Sequence, residues 1–341
     1  MASRGTGRAG AGVGSLKAAR SSHATVDDGT RIYFETFSPE GDSDRRKRPE
    51  SKGAAPVLLV MGLGANGRLW APAVRRLLAS GHDVIVVDNR GCGRSSTPRR
   101  PWTTRTMAAD AVAVLDELEI ERAHVGGASL GGMIAQEIAL EFPERVRTMV
   151  LLSTTGGFPL LDLVPRRRLL QRLEAVVRAW RPASDPEQRI RDFLCVAASE
   201  DFAAQCRPGD EVWAAVAAMF EEPTNQRGLV MQLLACARHS TWSRLPRLTM
   251  PVQVHHGTED RLVPFAAGEE LARRIPGAQF EVFEGAGHGI LERLDESADS
   301  IVAFLAESDA RASEARPRQQ PGPGLAGGEL RQHLSRTPLS A

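Results

Sequence analysis

The chain has 341 residues, 42% hydrophobic and 25% charged, with a formal net charge of +1. This balance lacks the basic excess typical of nucleic-acid-binding domains. No stretch has the ~18 uninterrupted apolar residues of a membrane span. We therefore expect neither nucleic acid nor membrane as a partner, and the length suits one α/β domain with an insertion or two domains. The cysteines are widely spaced without a C-x-x-C pair, which indicates reduced thiols in a cytoplasmic protein: Cys92, Cys195, Cys206 and Cys236.

Both ends of the chain are predicted to be disordered. Residues 1–22 are rich in Gly, Ala, Ser and Arg, with no acid before Asp27. That composition predicts a disordered arm, although it also resembles an organellar transit peptide. Residues 307–341 are rich in Pro, Gly and Arg and are predicted to form a disordered tail.

Apolar runs and helical patterns alternate through the first half of the chain. Ala24–Val26 and Arg31–Phe37 flank a turn and predict a hairpin. The next runs lack polar alternation, which is typical of parallel strands covered on both faces: 57–61, 84–87, 123–125 and 148–152. The predicted fold class is therefore α/β, with a mostly parallel sheet and helices on both faces.

The pattern changes after Ser153. Residues 154–246 predict helices and loops without a clear strand, and strands resume at Val252–His255 and Phe280–Phe283. A helical block between strands of one sheet predicts a cap inserted after the sixth strand, with a core formed by residues 23–153 and 247–306. Such a cap would cover the carboxyl edge of the sheet, where open α/β sheets bind ligands.

The stretch VGGASLGGMIAQ, from Val125 to Gln136, places Ser129 in a G-x-S-x-G pattern. The pattern alone is weak evidence, and its context decides the interpretation. An apolar run precedes it, and a helical pattern follows it until Phe142-Pro143. A strand, a sharp turn and a helix are what a nucleophile elbow requires. Small neighbours suit a serine held in a strained backbone.

With these features the chain resembles the α/β-hydrolase superfamily over roughly residues 23 to 306. The motifs that carry the resemblance are Met61-Gly62-Leu63-Gly64, Asp88-Asn89-Arg90-Gly91-Cys92-Gly93-Arg94-Ser95, the Ser129 elbow, Gly257-Thr258-Glu259-Asp260 and Gly285-Ala286-Gly287-His288-Gly289. Within the superfamily the chain is similar to enol-lactonases and to methylesterases that tailor polyketide antibiotics. The resemblance implies the chain order Ser, Asp, His for the catalytic residues.

The residues themselves lead to the same candidates. A serine hydroxyl needs a base within hydrogen-bond reach, and the pKa of histidine suits that role. Among eight histidines, His288 lies in a glycine-flanked loop after the last predicted strand, at the same sheet edge as Ser129. Asp260 follows the penultimate strand and is predicted to orient this base. Asp162, early in the cap, is the alternative acid, because some relatives place the acid there.

Two backbone amides are predicted to bind the oxyanion of a tetrahedral intermediate. The Leu130 amide follows the nucleophile at a helix start, and the Leu63 amide lies in the loop after the strand at 57–61. Family members often have His-Gly where this chain has Met61-Gly62. That departure removes any polar role for the side chain but leaves the backbone donor.

Other site types fit the sequence less well. His255-His256 with Glu259-Asp260 lacks metal-site spacing, and no metal site is predicted. Gly62-x-Gly64-x-x-Gly67 mimics a dinucleotide fingerprint without a suitable acid, and no cofactor is predicted. Cys92 has no base assigned to it. Cap aromatics predict a mainly apolar pocket for a small-molecule substrate, with Trp180, Trp213, Phe220 and Trp242 as candidate binding residues.

The predicted function is hydrolysis of an ester, lactone or thioester through an acyl-serine. Relatives of this fold that act on haloalkanes or epoxides have aspartate at the elbow, whereas this chain has Ser129. Two alternatives stay open at this point. One is a carbon–carbon bond hydrolase or a haloperoxidase-like member with the same triad. The other is a small-molecule receptor that retains the triad and uses its cap for docking. The oligomeric state is left open.

Overall fold

The structure is a computed structural model that describes residues 16–39, 54–157, 174, 178, 180, 185–222 and 224–315. Its strands are β1 (Arg20–Thr25), β2 (Arg31–Phe37), β3 (Val57–Val60), β4 (Val84–Val87), β5 (Ala123–Ala128), β6 (Val146–Leu152), β7 (Val252–Gly257) and β8 (Gln279–Phe283). Its helices are α1 (Ala71–Ala79), α2 (Thr104–Glu117), α3 (Leu130–Glu141), α4 (Pro186–Ala197), α5 (Glu200–Gln205), α6 (Glu211–Glu221), α7 (Gln226–Arg238), α8 (Phe265–Arg274) and α9 (Leu294–Ala315).

The eight strands form one sheet in the order β1-β2-β4-β3-β5-β6-β7-β8. β2 pairs antiparallel with β1 and with β4, and the strands from β4 to β8 pair in parallel. The predicted α/β-hydrolase sheet with helices on both faces is thereby confirmed.

Both faces of the sheet are buried, as the continuous apolar strands predict. In β3, Leu58 and Val60 contribute to one core cluster and Val57 and Leu59 to another, because successive side chains point to opposite faces. The first cluster includes side chains of α2, α3 and α8. The second includes side chains of α1, of α9 and of the helices α4 to α6, which lie in the stretch predicted as the cap.

Several element boundaries differ from those predicted. β1 begins at Arg20, within the stretch predicted as a disordered arm, and pairs with β2 along its whole length. The helix predicted at 290–305 begins at Leu294 and runs to Ala315, beyond the predicted start of the tail at residue 307. Asp309 explains part of this extension, because its carboxylate accepts a hydrogen bond from the Ala55 amide and pairs with Arg147. The rest of both termini lies outside the described residues.

The helices α4 to α7 lie between β6 and β7, in the stretch predicted as the cap. Residues 158–173, which include Asp162, are outside the described part of the chain. No helix within the described ranges is long and apolar enough to span a bilayer.

Candidate active site

Ser129 lies in a strained turn between β5 and α3. Its backbone angles are φ 54° and ψ −116°, and few non-glycine residues have a positive φ. The surrounding structure holds this conformation. The Ser129 amide donates to the Leu152 carbonyl at 2.9 Å, and the Thr154 hydroxyl donates to the Ser129 carbonyl at 2.7 Å. Strain that neighbours hold in place is characteristic of functional turns.

The two glycines of the G-x-S-x-G pattern are required by close packing. A Cβ atom at Gly127 would lie 2.2 Å from the Gly131 carbonyl oxygen, and one at Gly131 would lie 2.0 Å from the Val60 carbonyl oxygen. Either contact would force the backbone to move. The glycines therefore allow α3 to start directly above β3 and β5, with Ser129 at the turn.

His288 and Asp260 lie at the same carboxyl edge of the sheet, in the loops after β8 and β7. His288 Nδ1 is 2.8 Å from Asp260 Oδ2, and both side chains are almost fully buried. An ionised carboxylate only accepts hydrogen bonds, so Nδ1 carries the proton and Nε2 offers a lone pair. The structure thus brings the predicted base and acid into contact.

Four donors surround the Asp260 carboxylate. Oδ1 accepts from the backbone amides of Leu262 and Val263, each at 2.8 Å. Oδ2 accepts from His288 Nδ1 and lies 3.2 Å from His256 Nε2, which is also hydrogen-bonded to the Val263 carbonyl at 3.1 Å. Burial raises the pKa of Asp260, but electrostatic attraction to His288 and His256 and their hydrogen bonds outweigh burial and hold that pKa below its usual range. The acid is therefore an anion at neutral pH.

Other histidines in the described part of the chain have partners elsewhere. His23 contacts the Arg94 carbonyl, His239 contacts Thr104, and His255 contacts Ser297. His82 and His124 lie together at the opposite edge of the sheet. His333 lies outside the described residues. Burial raises the pKa of the Cys92 thiol far above its usual range, which disfavours the thiolate.

The two predicted oxyanion donors belong to the two segments that meet at Ser129, the start of α3 and the loop after β3. Leu130 is the first residue of α3, where backbone amides have no partner within the helix. The loop after β3 packs closely on the elbow. A Cβ atom built on Gly62 would lie only 3.2 Å from Ser129 Cβ. The Leu63 amide follows immediately. The Asn89 side chain donates to the Met61 carbonyl at 2.8 Å and fixes the start of this loop.

The cap holds the other end of the same loop. The Gly64 amide donates to Gln232 Oε1 of α7 at 2.8 Å, and Thr224 Oγ1 donates to the Gly64 carbonyl at 2.7 Å. Gln232 is fully buried, and its amide nitrogen donates to the Arg90 carbonyl at 3.0 Å. Sequence reasoning missed Gln232, because a single polar residue in an otherwise amphipathic helix has no distinguishing pattern.

The cap also contacts the His288 loop. Glu292 Oε1 accepts from the Gly287 amide at 3.2 Å and from the Ser199 amide between α4 and α5. The approach is close, since a Cβ atom at Gly287 would lie 2.3 Å from the Ala198 carbonyl carbon. The sequence neither singles out Glu292 nor places His256 beside the Asp260 carboxylate.

The four candidate binding aromatics do not form one group. The rings of Trp180 and Phe220 pack edge to face, with centroids 5.7 Å apart. The Trp180 ring also packs closely on Gly64, since a Cβ atom built there would lie 2.9 Å from it. Trp213 is buried in the core cluster against which Trp180 and Phe220 also pack, and Arg191 stacks on it. Trp242 belongs to the cluster on the other face and packs on Gly156. Because Trp180 borders Gly64 beside the candidate oxyanion donors, Trp180 and Phe220 are better placed to contact a substrate than Trp213 and Trp242.

A family model described as alpha/beta hydrolase fold matches residues 55–293, and the chain belongs to this family. It is 32% identical to the putative non-heme bromoperoxidase BpoC of Mycobacterium tuberculosis, over 75% of this chain and 95% of that protein. It is 33% identical to 2-hydroxymuconate semialdehyde hydrolase of Pseudomonas sp. (strain CF600), over 77% and 91% of the two chains.

The family resemblance predicted from sequence is confirmed. Rhodomycin D methylesterase DnrP of Streptomyces peucetius is 31% identical, over 69% of this chain and 85% of that protein. The solved enol-lactonase of Burkholderia xenovorans LB400 superposes with a TM-score of 0.66 over 83% of this chain and 99% of that chain. At 24% identity, this likeness concerns the fold alone.

Proposed function

We propose that this chain is a serine hydrolase that cleaves a carboxylic ester, lactone or thioester of a small apolar molecule through an acyl-serine intermediate. The observation that carries the proposal is Ser129 in its strained elbow, at the sheet edge where His288 meets Asp260. A hydroxyl nucleophile, a base with a free Nε2 and an ionised acid are the parts that acyl transfer needs.

In the proposed mechanism, His288 Nε2 takes the proton of Ser129 Oγ as Oγ attacks the substrate carbonyl carbon. The carbonyl oxygen becomes an oxyanion that accepts hydrogen bonds from the Leu63 and Leu130 amides. The tetrahedral intermediate expels the alcohol or thiol, which takes the proton from His288. Water then attacks the acyl-serine and gives a proton to His288, and the bond between Ser129 Oγ and the acyl carbon breaks as Oγ regains a proton from His288, releasing the carboxylic acid. Asp260 stabilises the charged form of His288 in both steps.

The apolar character of the substrate is inferred from the cap. Trp180, Phe193 and Phe220 form a mutual cluster with ring centroids 5.7 to 6.0 Å apart. Trp180 borders Gly64 in the loop of residues 61–64 after β3, here called the oxyanion loop because it carries the proposed donor Leu63. Apolar and aromatic walls with few polar groups are typical of small-molecule pockets. A hydrophobic acyl or ring group would fit against this cluster.

A substrate panel tests the reaction type. We expect turnover of p-nitrophenyl esters to rise with acyl length beyond acetate, in the ordinary range of about 1 to 10³ per second on the preferred substrate. Lactones and methyl esters of apolar acids complete the panel. A preference confined to the shortest acyl esters would contradict the apolar pocket. Turnover of vinylogous diketones alone, without any ester, would instead support a carbon–carbon bond hydrolase.

The receptor alternative predicts a docking surface on the cap. Among the described cap residues, the exposed large apolar side chains are Val230 and Leu234, one turn apart on α7. So small a patch favours the enzyme. A single slow turnover on every ligand, together with ligand-dependent protection of the cap in hydrogen exchange, would reverse this conclusion.

Gln232 provides a test of how the cap supports the proposed site. In Gln232→Met the Gly64 amide and the Arg90 carbonyl lose their buried partner, so the oxyanion loop should shift. We expect kcat on a p-nitrophenyl ester to fall about 10- to 100-fold with little change in KM. Leu234→Met, on the exposed side of the same helix, is the matched control and should keep its kcat. Equal kcat values in the two variants would show that Gln232 has no part in positioning.

A further inference from the structure

Three potential metal ligands meet at the amino end of the parallel strands, on the edge opposite Ser129. His82 precedes β4, His124 is the second residue of β5, and Asp309 belongs to α9. One ligand atom of each lies within 4.8 Å of the other two. His124 Nε2 is 3.2 Å from Asp309 Oδ1, and His82 Nε2 is 3.8 Å from Asp309 Oδ2.

The surroundings of His82 determine its tautomer. Ser80 Oγ donates its one proton to the Leu77 carbonyl at 2.8 Å and lies 2.9 Å from His82 Nδ1. The hydroxyl must therefore accept from His82 Nδ1–H, which leaves a lone pair on Nε2. That nitrogen is buried and has no hydrogen-bond partner within the described residues. A buried lone pair facing a carboxylate is costly unless a cation lies between them.

Protonation of His82 does not explain the arrangement. A charged ring would need a hydrogen bond to Asp309, but 3.8 Å is too long for one.

Groups around the cluster orient the other two candidate ligands. His124 Nδ1 is 2.8 Å from Thr148 Oγ1, and its Nε2 faces the cluster, where it donates to Asp309 Oδ1 at 3.2 Å. A metal ion that binds Nε2 would displace that proton, as metal ions do at histidine ligands. Asp309 Oδ1 pairs with Arg147 Nε at 2.6 Å, and Oδ2 accepts from the Ala55 amide at 3.2 Å. Each carboxylate oxygen has two lone pairs, so Oδ2 keeps one. A hydrogen-bond acceptor on the second nitrogen of a histidine ligand and donors on a ligating carboxylate are usual supports of metal sites, and the two hydroxyl groups supply the acceptors here.

We propose that His82 Nε2, His124 Nε2 and Asp309 Oδ2 bind one divalent transition metal ion of the Zn²⁺ class. Tetrahedral Zn²⁺ with bonds of about 2.0–2.1 Å places its ligand atoms about 3.3 Å apart, so small side-chain rotations would close the cluster. Two imidazoles and one carboxylate suit Zn²⁺ better than Mg²⁺ or Ca²⁺. The ion would join α9 to the sheet, far in sequence from either histidine, and has no step in the proposed hydrolysis.

Zinc titration of the full-length chain, pretreated with EDTA, tests the proposal. We expect isothermal titration calorimetry to show one tight equivalent, and the melting midpoint to rise by roughly 5 °C at saturating Zn²⁺. His82→Asn keeps a donor for Ser80 and removes the ligand nitrogen, so its affinity for Zn²⁺ should fall about 100-fold and the rise in midpoint should disappear. Mg²⁺ should not raise the midpoint of the wild-type protein.

His239→Asn is the matched control, since His239 is also buried but contacts Thr104 rather than the cluster. The His239→Asn variant should still bind one equivalent of Zn²⁺ tightly. Asp309→Asn is the second ligand variant, and far-UV circular dichroism verifies the fold of each. Wild-type protein without a tight equivalent, or equal Zn²⁺ affinity in folded wild type and ligand variants, would overturn the proposal.

Discussion

Ser129→Ala is expected to lower kcat/KM by about 10⁴- to 10⁶-fold, because it removes the hydroxyl of the proposed nucleophile. His288→Ala should cost about the same. The double variant should cost little more than either single one, since nucleophile and base act as a unit. Steady-state kinetics on the best ester of the panel measure all three.

Ser153→Ala is the matched control for this series. Ser153 also has a positive φ, of 47°, at the end of the neighbouring strand β6, and it is buried. The kcat/KM of Ser153→Ala should stay within a few-fold of the wild-type value. Near-normal turnover in Ser129→Ala, with its fold intact, would contradict the proposed nucleophile.

Asp260→Asn is expected to lower kcat by about 10³- to 10⁴-fold with a smaller effect on KM. The asparagine amide group would donate toward His288 Nδ1 and so favour the tautomer whose proton is on Nε2, where it cannot accept from Ser129. The loss should persist across the pH range from 6 to 9, because a wrong tautomer is not corrected by removing protons from solution.

Asp162 is the alternative candidate for the catalytic acid, and its asparagine variant is compared with Asp260→Asn. Asp162→Asn should remain within a few-fold of wild type if Asp260 is the acid. The reverse result, with Asp260→Asn active and Asp162→Asn inactive, would assign the acid to the cap segment. Circular dichroism separates either loss from unfolding, which matters because Asp260 also accepts from the amides of Leu262 and Val263.

The elements of the sheet were predictable because their patterns are local. The strands from β3 to β7 are short apolar runs, and each is buried on both faces. The pairing of His288 with Asp260 also followed from sequence, since loops after neighbouring parallel strands meet at one edge. Helix ends were less predictable. α9 extends past residue 307 because Asp309 is tied to β6 and to Ala55, and no local pattern contains those contacts.

Some parts of the site could not be predicted from the sequence, because they depend on contacts between residues far apart in the chain. Gln232 reaches Gly64 across 168 residues, and His124 reaches Asp309 across 185. The sequence made four cap aromatics equal candidates for substrate binding, because helical spacing does not show which face of a cap helix meets the core: Trp180, Trp213, Phe220 and Trp242. In the structure, Trp213 and Trp242 fall into separate core clusters.

Labelling with a fluorophosphonate probe tests the central claim most directly. Such probes react with an activated serine and stay attached, so peptide mapping identifies the residue. We predict one adduct per chain, on the peptide that carries Ser129, with labelling abolished in Ser129→Ala and strongly slowed in His288→Ala. Undiminished labelling of Ser129→Ala, or an adduct on another residue of the wild-type protein, would contradict the account.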